Sequence, residues 1–576
     1  MPILQPIVNI AELLSRKGMT DVIVSPGSRS APLTLAVVRH PGLQVRVVPD
    51  ERSAGFIALG LAQQQQRPVG VICTSGSAVY NLAPAVAEAY FQEIPLLLLT
   101  ADRPREWVHQ QDGQTMFQAG IFGQHVKRSY ELPADYDHPD SRWFIERSLN
   151  EAYNLTVSGA RGPVHINIPL REPFYPKPDE RFRYEPVRII DTLPTEPSLK
   201  TEDWHRIQAV WEGTGKKLIA VGQMPDDPVL IGWLRKLSDE FQVPVVGEIV
   251  SNLARNGQFI TFADTFLAVP DEAFKRSLQP DLLITLGLSF LTRNLKTFLR
   301  QFPASQHWHI APVADRVTDP FRTLTTQIPM EPAAFFSKLF SDLDYQRFLQ
   351  GDEEDDTDGF LERWQQADRK AGRVIRKSLA GDTLTDFRAT AMVLDALPAG
   401  SELHLSNSMP VRYATLCGLD ERQAVAVRAN RGVSGIDGCL STAVGAALGT
   451  DRLVTLFIGD VAFFYDRNGL WNNYLPANLR MVLFNNHGGH IFRMIDGPGQ
   501  QPELEAFFEV AQPLTAERTA ADAGIGYRVC TTLAEVKAAL PDFFDPSATV
   551  QLLEIKTDKY LNQEEFAAYK AAVRSM

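Results

Sequence analysis

Short, unbroken apolar runs recur along this chain, each closing on Gly, Ser, Thr, Asp or Asn and giving way to a helical stretch. Residues 21–26 (DVIVSP), 68–75 (PVGVICTS) and 95–102 (PLLLLTAD) follow this rule in the first third. Residues 217–222 and 281–287 follow it in the middle, and 402–407, 453–460 and 480–486 in the last third. A strand wetted on one face alternates apolar and polar residues, whereas a continuous apolar strand is covered on both faces. The pattern therefore predicts an α/β architecture of doubly wound parallel sheets. In such sheets ligands bind beyond the carboxyl ends of the strands, so the polar residues closing each run are the first candidates for chemistry.

Two stretches interrupt the rhythm. Residues 172–200 are rich in proline and charge without periodicity, as a linker is, and residues 350–359 (QGDEEDDTDG) form an acidic, solvated run. They divide the chain into three α/β units at 1–180, 190–345 and 370–576, the first and third alike in length and rhythm. A net charge of −12 argues against a broad nucleic-acid-binding surface, which carries a basic excess. It leaves anionic small substrates open, because a cleft can oppose the global sign. Cys73, Cys417, Cys439 and Cys530 lie far apart with no CxxC pair, the usage of a reduced intracellular protein and not of a disulfide scaffold or cysteine-rich zinc site. The N-terminal residues lack a basic start followed by an apolar core, and no apolar run approaches the ~18 residues that span a bilayer. The expectation is a cytoplasmic protein without membrane insertion.

The most informative pair is Gly459-Asp460, closing one apolar strand, and Asn485-Asn486, closing the next. One crossover separates them, so both emerge at the same sheet edge. A carboxylate and an amide oxygen there suit a hard divalent cation, and the backbone amides from Val461 onward open a helix that favours a diphosphate. The plain alternative is that Asp460 only caps that helix. In the first unit Asp50-Glu51-Arg52 follows a strand at 45–48 and leads into a small-residue helix at 53–62. Its companions are the strand ends SPGSRS (25–30) and TSGSAVYN (74–81).

The strings SPGSRSAPLTLA, DERSAGFIALGLA, TSGSAVYNLAPAVAEA, LTADRP, SNSMPVR, NRGVSGIDG and NNHGGHIF, in this order from residue 25 to 492, resemble the thiamine-diphosphate (ThDP) enzymes. Within them they resemble the branch acting in menaquinone biosynthesis. The resemblance covers the whole chain, densely in the first and last units and thinly in the middle one. It implies a pyrimidine-binding first domain, a central domain and a diphosphate-binding last domain. It also implies a transferase that decarboxylates 2-oxoglutarate and adds the succinyl-semialdehyde carbanion to isochorismate. Glu51 would drive the aminopyrimidine to its imino tautomer, a task suited to a partly buried Glu with a raised pKa. Asp460, the Asn486 side chain and the Gly488 carbonyl would hold Mg2+ or Mn2+. Ile436 would press the cofactor into its bent form, where the residues alone suggest a plain core isoleucine. Ser75, Gly76, Asn407, Gly435, Val461 and Ile491 complete the expected cofactor contacts. The resemblance further implies a homodimer or homotetramer with active sites between chains, Glu51 of one facing Asp460 of another.

Both substrates are dianions, and arginine recognises carboxylates bidentately. Arg29, Arg103, Arg412 and Arg431 are the expected anchors, with Ser28, Gln114 and Ser408 as polar neighbours. Gly113 stands where the family often has Asn, and Arg293-Asn294 where it typically has two cations, which places one carboxylate contact in question. His487 and His490 fill positions usually held by Asn and Gln; His490 reads either as a proton donor or as a hydrogen-bonding loop residue. Neither GTGKK (213–217), which lacks Walker spacing and precedes a strand, nor GVSGIDG (432–438) is a nucleotide fingerprint. The alternatives at this stage are another ThDP-dependent 2-oxo acid decarboxylase, an acetolactate-synthase-like ligase, and a catalytically inactive relative that keeps the fold.

Overall fold

A computed structural model describes residues 4–576 other than 173–174, 177–180, 194, 196, 254–257, 351–358 and 496. The continuous apolar runs become three sheets in which every pairing is parallel. The first holds β1 (Asp21–Val24), β2 (Gln44–Val47), β3 (Val69–Cys73), β4 (Leu96–Asp102), β5 (Ser129–Glu131) and β6 (Val164–Pro169), in the order β2-β1-β3-β4-β6-β5. The middle sheet holds β7 (Lys217–Val221), β8 (Val245–Gly247), β9 (Leu282–Leu286), β10 (Gln306–Ala311) and β11 (Thr326–Pro329), in the order β11-β10-β9-β7-β8. The last holds β12 (Glu402–Leu405), β13 (Ala426–Ala429), β14 (Val454–Gly459), β15 (Leu479–Asn485), β16 (Gly526–Cys530) and β17 (Gln551–Lys556), in the order β13-β12-β14-β15-β17-β16. Counted within each sheet, the first and last share the order 2-1-3-4-6-5. Strand order reverses between the first and third strands of each, and such a switch point is where an open α/β sheet leaves a crevice.

Seven helices position the site: α1 (Glu51–Gln65), α2 (Ala83–Phe91), α3 (Arg293–Gln301), α4 (Asp386–Asp395), α5 (Met409–Cys417), α6 (Cys439–Leu448) and α7 (Asp460–Asp466). The helix expected at 53–62 is longer at both ends. It starts at Glu51 because Asp50 caps it, accepting from the amides of Arg52 (2.9 Å) and Ser53 (3.5 Å). Helices α1 and α6 cross at backbone distance and join the first sheet to the last. A Cβ on Gly60 would lie 2.0 Å from the Thr442 carbonyl, and one on Gly445 would lie 2.0 Å from the Ile57 carbonyl. One apolar core runs through this crossing, from Ile23 and Val71 to Leu456 and Leu483.

Residues 181–192, within the proline-rich stretch, form no helix or strand but lie along the first unit. Arg16 donates to the Val187 carbonyl (3.0 Å), and Asn150 both donates to the Arg188 carbonyl (2.9 Å) and accepts from the Ile190 amide (2.8 Å). The acidic run at 350–359 falls almost wholly outside the described residues. Among the described residues no helix is long and apolar enough to cross a membrane, and no group of His, Cys, Asp or Glu side chains has the geometry of a metal cluster.

Candidate active site

The carboxyl end of the first sheet carries Arg29, Glu51, Ser75, Gly76 and Arg103. Arg29 is 7 % exposed and donates through Nη1 to the Leu170 carbonyl (2.9 Å). Its pKa is lowered, first by burial and then by Arg103, so two guanidinium groups share this edge. Arg103 donates through Nε to the Gly113 carbonyl (3.0 Å) and pairs with Asp112 (3.0 Å). Glu51, half-buried as the first residue of α1, accepts from Asn81 Nδ2 at 3.2 Å. Ser75 is buried at the end of β3, and its hydroxyl has no hydrogen-bond partner among the described residues. Gly76 follows at φ +84°, a conformation that favours glycine. Ser28 and Gln114 are exposed; Gln114 meets Gly76 through its backbone, its Cα 3.4 Å from where a Gly76 Cβ would stand.

At the switch point of the last sheet, the loop after β12 carries Asn407 and Ser408, and the turn after β14 carries Asp460. Asn407 is committed to the loop facing it: Nδ2 donates to the Asn430 (2.7 Å) and Gly435 (2.6 Å) carbonyls, while Oδ1 accepts from Arg431 Nη1 (2.7 Å). Ser408 has φ +76° and ψ −132°, a strained conformation for a non-glycine residue that costs about 1–3 kcal/mol and clusters at functional sites. Its carbonyl accepts from Arg412 Nη1 (2.5 Å), one turn along α5. Ile436 is half-buried and packs against the core shared by the first and last sheets. Ile491 is half-buried at the start of a single helical turn.

Asp460 is 2 % exposed, and burial lifts its carboxyl to about 7 against the hydrogen bonds from Gln512 (2.7 Å) and its own neighbour Val461 (2.8 Å). The Val461 amide is thus taken by Asp460 itself. Asn486 follows directly on β15, which pairs with β14. Its Nδ2 donates to Asp386 at 2.8 Å, while its Oδ1 is buried with no partner among the described residues. Gly488 is buried, and a Cβ there would lie 2.9 Å from the Glu509 carbonyl. An orphaned amide oxygen, a carboxylate poised to ionise against a positive charge and a backbone carbonyl in a glycine-only turn form an all-oxygen donor set. That set fits a hard divalent cation.

Arg412 and Arg431 approach each other at the seam with the middle unit. Arg412 has its pKa lowered by burial and then by Arg431. Arg431 is lowered by burial against the pull of Glu248 and Glu88, and its Nε is buried without a partner among the described residues. Arg293, of the Arg293-Asn294 pair that stands where the family typically has two cations, is exposed. Asn294 turns inward onto Asp264, its amide donating to Oδ1 (2.9 Å) and its Nδ2 to the backbone carbonyl (2.9 Å). Lys296, one turn along α3, is half-buried at this seam, its pKa lowered by burial, raised by Glu248 and lowered by Arg431.

The N-terminal part of the chain, residues 9–125, matches the family model for the thiamine pyrophosphate enzyme N-terminal TPP binding domain. A protein of Cytophaga hutchinsonii named 2-succinyl-5-enolpyruvyl-6-hydroxy-3-cyclohexene-1-carboxylate synthase is 44 % identical over 99 % of both chains. Proteins of the same name from Desulfotalea psychrophila and Flavobacterium johnsoniae are 35 % and 34 % identical over 96 % of this chain, covering 98 % and 96 % of theirs. The chain belongs to this synthase family. It is accordingly a ThDP-dependent enzyme, and the three parallel-sheet units are the ThDP-enzyme fold.

In this synthase-family chain several residues that hold the site were not singled out in the sequence. Gln118 is buried, accepts from the Gly76 amide (2.8 Å) and donates to the Ala101 carbonyl (3.0 Å), tying the turn after β3 to β4. Glu88, on α2 and 1 % exposed, accepts from the amides of Gly432 and Val433 (2.7 Å each) and from Gln92 Nε2 (2.6 Å). It thereby clamps the Arg431 loop from the first unit. Gln223 of the middle unit reaches Gln92 (2.9 Å) and the Ala429 carbonyl (3.0 Å). A glutamate within a small-residue helix carries no local signal of such a contact; only the fold brings it to residue 432. His490 is buried with Nε2 4.0 Å from Glu509, and burial lowers its pKa to about 4.

Proposed function

We propose that this enzyme decarboxylates 2-oxoglutarate and transfers the remaining four-carbon unit to isochorismate, the step that gives 2-succinyl-5-enolpyruvyl-6-hydroxy-3-cyclohexene-1-carboxylate in menaquinone biosynthesis. One observation carries the choice of substrates: arginines gathered in like-charged pairs, buried Arg29 with half-buried Arg103 and half-buried Arg412 with Arg431, in each of which burial first and the neighbouring guanidinium second lower a pKa. Nearby carboxylates such as Asp112 and Glu248 offset part of this repulsion, and a ligand that brings two negative charges relieves more of it; both substrates are dianions. When bound, thiamine diphosphate supplies the carbon nucleophile for a 2-oxo group and the electron sink that loss of CO2 requires.

The residues around it divide the remaining work. Glu51 holds and returns a proton at the cofactor's pyrimidine ring nitrogen. Its place at the start of α1, with Asn81 keeping one carboxylate oxygen oriented, supports this role. Asp460, Asn486 Oδ1 and the Gly488 carbonyl hold Mg2+ or Mn2+; the buried Asn486 Oδ1 without a partner among the described residues supports this. Ser75, Gly76, Asn407, Gly435, Ile436, Val461 and Ile491 line the cofactor. Arg29, Arg103, Gln114, Ser408, Arg412 and Arg431 bind and orient the substrates, joined by Lys296. In the same reading the first, middle and last units are the pyrimidine-binding, central and diphosphate-binding domains. The enzyme works in the cytoplasm as a homodimer or homotetramer, with Glu51 of one chain completing the site at Asp460 of another. No hydrogen bond or ion pair among the described residues links Glu51 to Asp460 or Asn486 within one chain.

The test is a two-substrate assay with ThDP and Mg2+, following CO2 release and product mass. A product that forms only with 2-oxoglutarate and isochorismate together, and not with pyruvate as donor, is the expected result. CO2 release from pyruvate would move the activity to another 2-oxo acid decarboxylase or ligase, and inactivity with every donor would mark an inactive relative.

A further inference from the structure

Asparagine is an ambiguous cation ligand because its two ends have almost the same shape and opposite polarity. An amide turned the wrong way presents N–H groups to a positive charge. Something must fix its orientation, and around Asn486 that group is Asp386, the first residue of α4, which is 4 % exposed. Asp386 Oδ2 accepts from Asn486 Nδ2 (2.8 Å), and Asp386 Oδ1 accepts from the Thr557 hydroxyl (2.7 Å). The Thr557 hydroxyl already accepts from Asn562 Nδ2 (3.1 Å), which leaves its single proton for Asp386. Asn562 in turn accepts from the Asp386 amide through Oδ1 (2.8 Å). The ring of hydrogen bonds is closed and has one direction, which fixes Asp386 Oδ1 as an acceptor; Oδ2, the other oxygen of the ionised carboxylate, accepts from Asn486. Facing an ionised carboxylate, the Asn486 amide turns its N–H toward Asp386 and its oxygen away, and that oxygen is the one left without a partner among the described residues.

We infer that Asp386 is a positioning residue that fixes the Asn486 amide with its oxygen toward a divalent cation, an inference that rests on reading Asp460, Asn486 and Gly488 as the cation's holders. Asp386 adds a negative charge one bond network away from the cation without touching it, and it comes from a helix 74 residues before Asp460 in the chain. Residues that orient metal ligands from outside the coordination sphere typically change affinity by about 10–100-fold when replaced.

The experiment is a Mn2+ titration followed by electron paramagnetic resonance, with saturating ThDP, on the full-length parent enzyme and on Asp386→Asn, Asp386→Ala and Asp460→Ala. Asp386→Asn keeps the shape but can present either end to Asn486; it is expected to weaken Mn2+ binding about tenfold or more, and Asp386→Ala further. The Mn2+ concentration giving half-maximal turnover should rise in step, with turnover recovering at saturating Mn2+. A merely structural role would lower turnover or Tm and leave the Mn2+ titration in place. Mn2+ affinity of Asp386→Asn within twofold of the parent overturns the inference, and because that variant is isosteric it decides the matter even if Asp386→Ala fails to fold. Asp460→Ala separates the two levels. If it binds Mn2+ like the parent, the cation-site reading fails and the inference with it. If it loses Mn2+ while Asp386→Asn does not, only the inference about Asp386 fails.

Discussion

Lys296 and Arg293 stand three residues apart on the same helix, yet only Lys296 lies at the seam beside Arg431. Arg293 opens α3 on its solvent side, while Lys296 lies half-buried beside Glu248, Asp264 and Arg431 and donates to the Phe290 carbonyl at 3.1 Å. Replacing Lys296 by Met should raise the KM for one of the two dianionic substrates about tenfold, the loss of one charge-assisted contact, with a smaller change in kcat. Arg293→Ala should leave both KM values within about twofold, as exposed charges generally do. Steady-state kinetics with each substrate varied in turn separates the two, and unchanged KM values for Lys296→Met would remove it from the site. The contrast also marks what a sequence can say at this scale. Asp460 and Asn486 were legible because each closes an apolar strand, and strand ends of a parallel sheet share one edge. Lys296 was not, because which turn of α3 faces the seam depends on Glu248, which accepts from the Leu291 (2.5 Å) and Thr292 (2.6 Å) amides and sets the helix's entry.

Among the elements, the α1–α6 crossing is the joint that fixes the first sheet against the last. Gly445 makes it possible: a Cβ there would overlap the Ile57 carbonyl, which is backbone and cannot yield locally. Gly445→Ala should therefore force the helices apart, destabilising by about 3 kcal/mol or more and lowering Tm by roughly 5–10 °C. Gly232 is an exposed residue of helix Pro228–Phe241, and a Cβ there meets nothing within 4 Å. Gly232→Ala should stabilise instead, by about 0.5–1 kcal/mol, because alanine loses less backbone entropy in a helix. Thermal unfolding of the two variants beside the parent checks both signs. The strands themselves were readable from composition alone, since continuous burial demands continuous apolarity. The crossing was not: DERSAGFIALGLA and GCLSTAVGAALG are each simply small-residue helices until the fold sets Gly60 against Thr442 and Gly445 against Ile57.

On the scale of the whole molecule, the first and last sheets repeat one strand order, and each places its expected chemistry at the reversal between its first and third strands. In the proposed reading these two crevices hold complementary halves: Glu51 with Arg29 and Arg103 at one, the turn of Asp460 and Asn486 proposed to hold the cation, with Arg412 and Arg431, at the other. A symmetric dimer that apposes the first sheet of one chain to the last sheet of its partner joins the halves twice, because a two-fold axis repeats every contact. This arrangement predicts complementation. Glu51→Gln should still bind ThDP with Mg2+ by calorimetry while losing about 10²–10⁴ in turnover, the contribution of a positioned acid–base group. Asp460→Ala should lose cofactor binding and be inactive as well. In a mixed dimer of the two variants, one site draws Glu51 from the Asp460→Ala chain and Asp460 from the Glu51→Gln chain, and is intact; the other carries both lesions. Random pairing makes half the dimers mixed, so co-expressed or co-refolded variants should regain about a quarter of parental activity per chain. If each chain instead builds its own site, mixing restores nothing, and an active monomer by light scattering would say the same. A quarter of the activity recovered from two inactive proteins has no account except a site shared between chains.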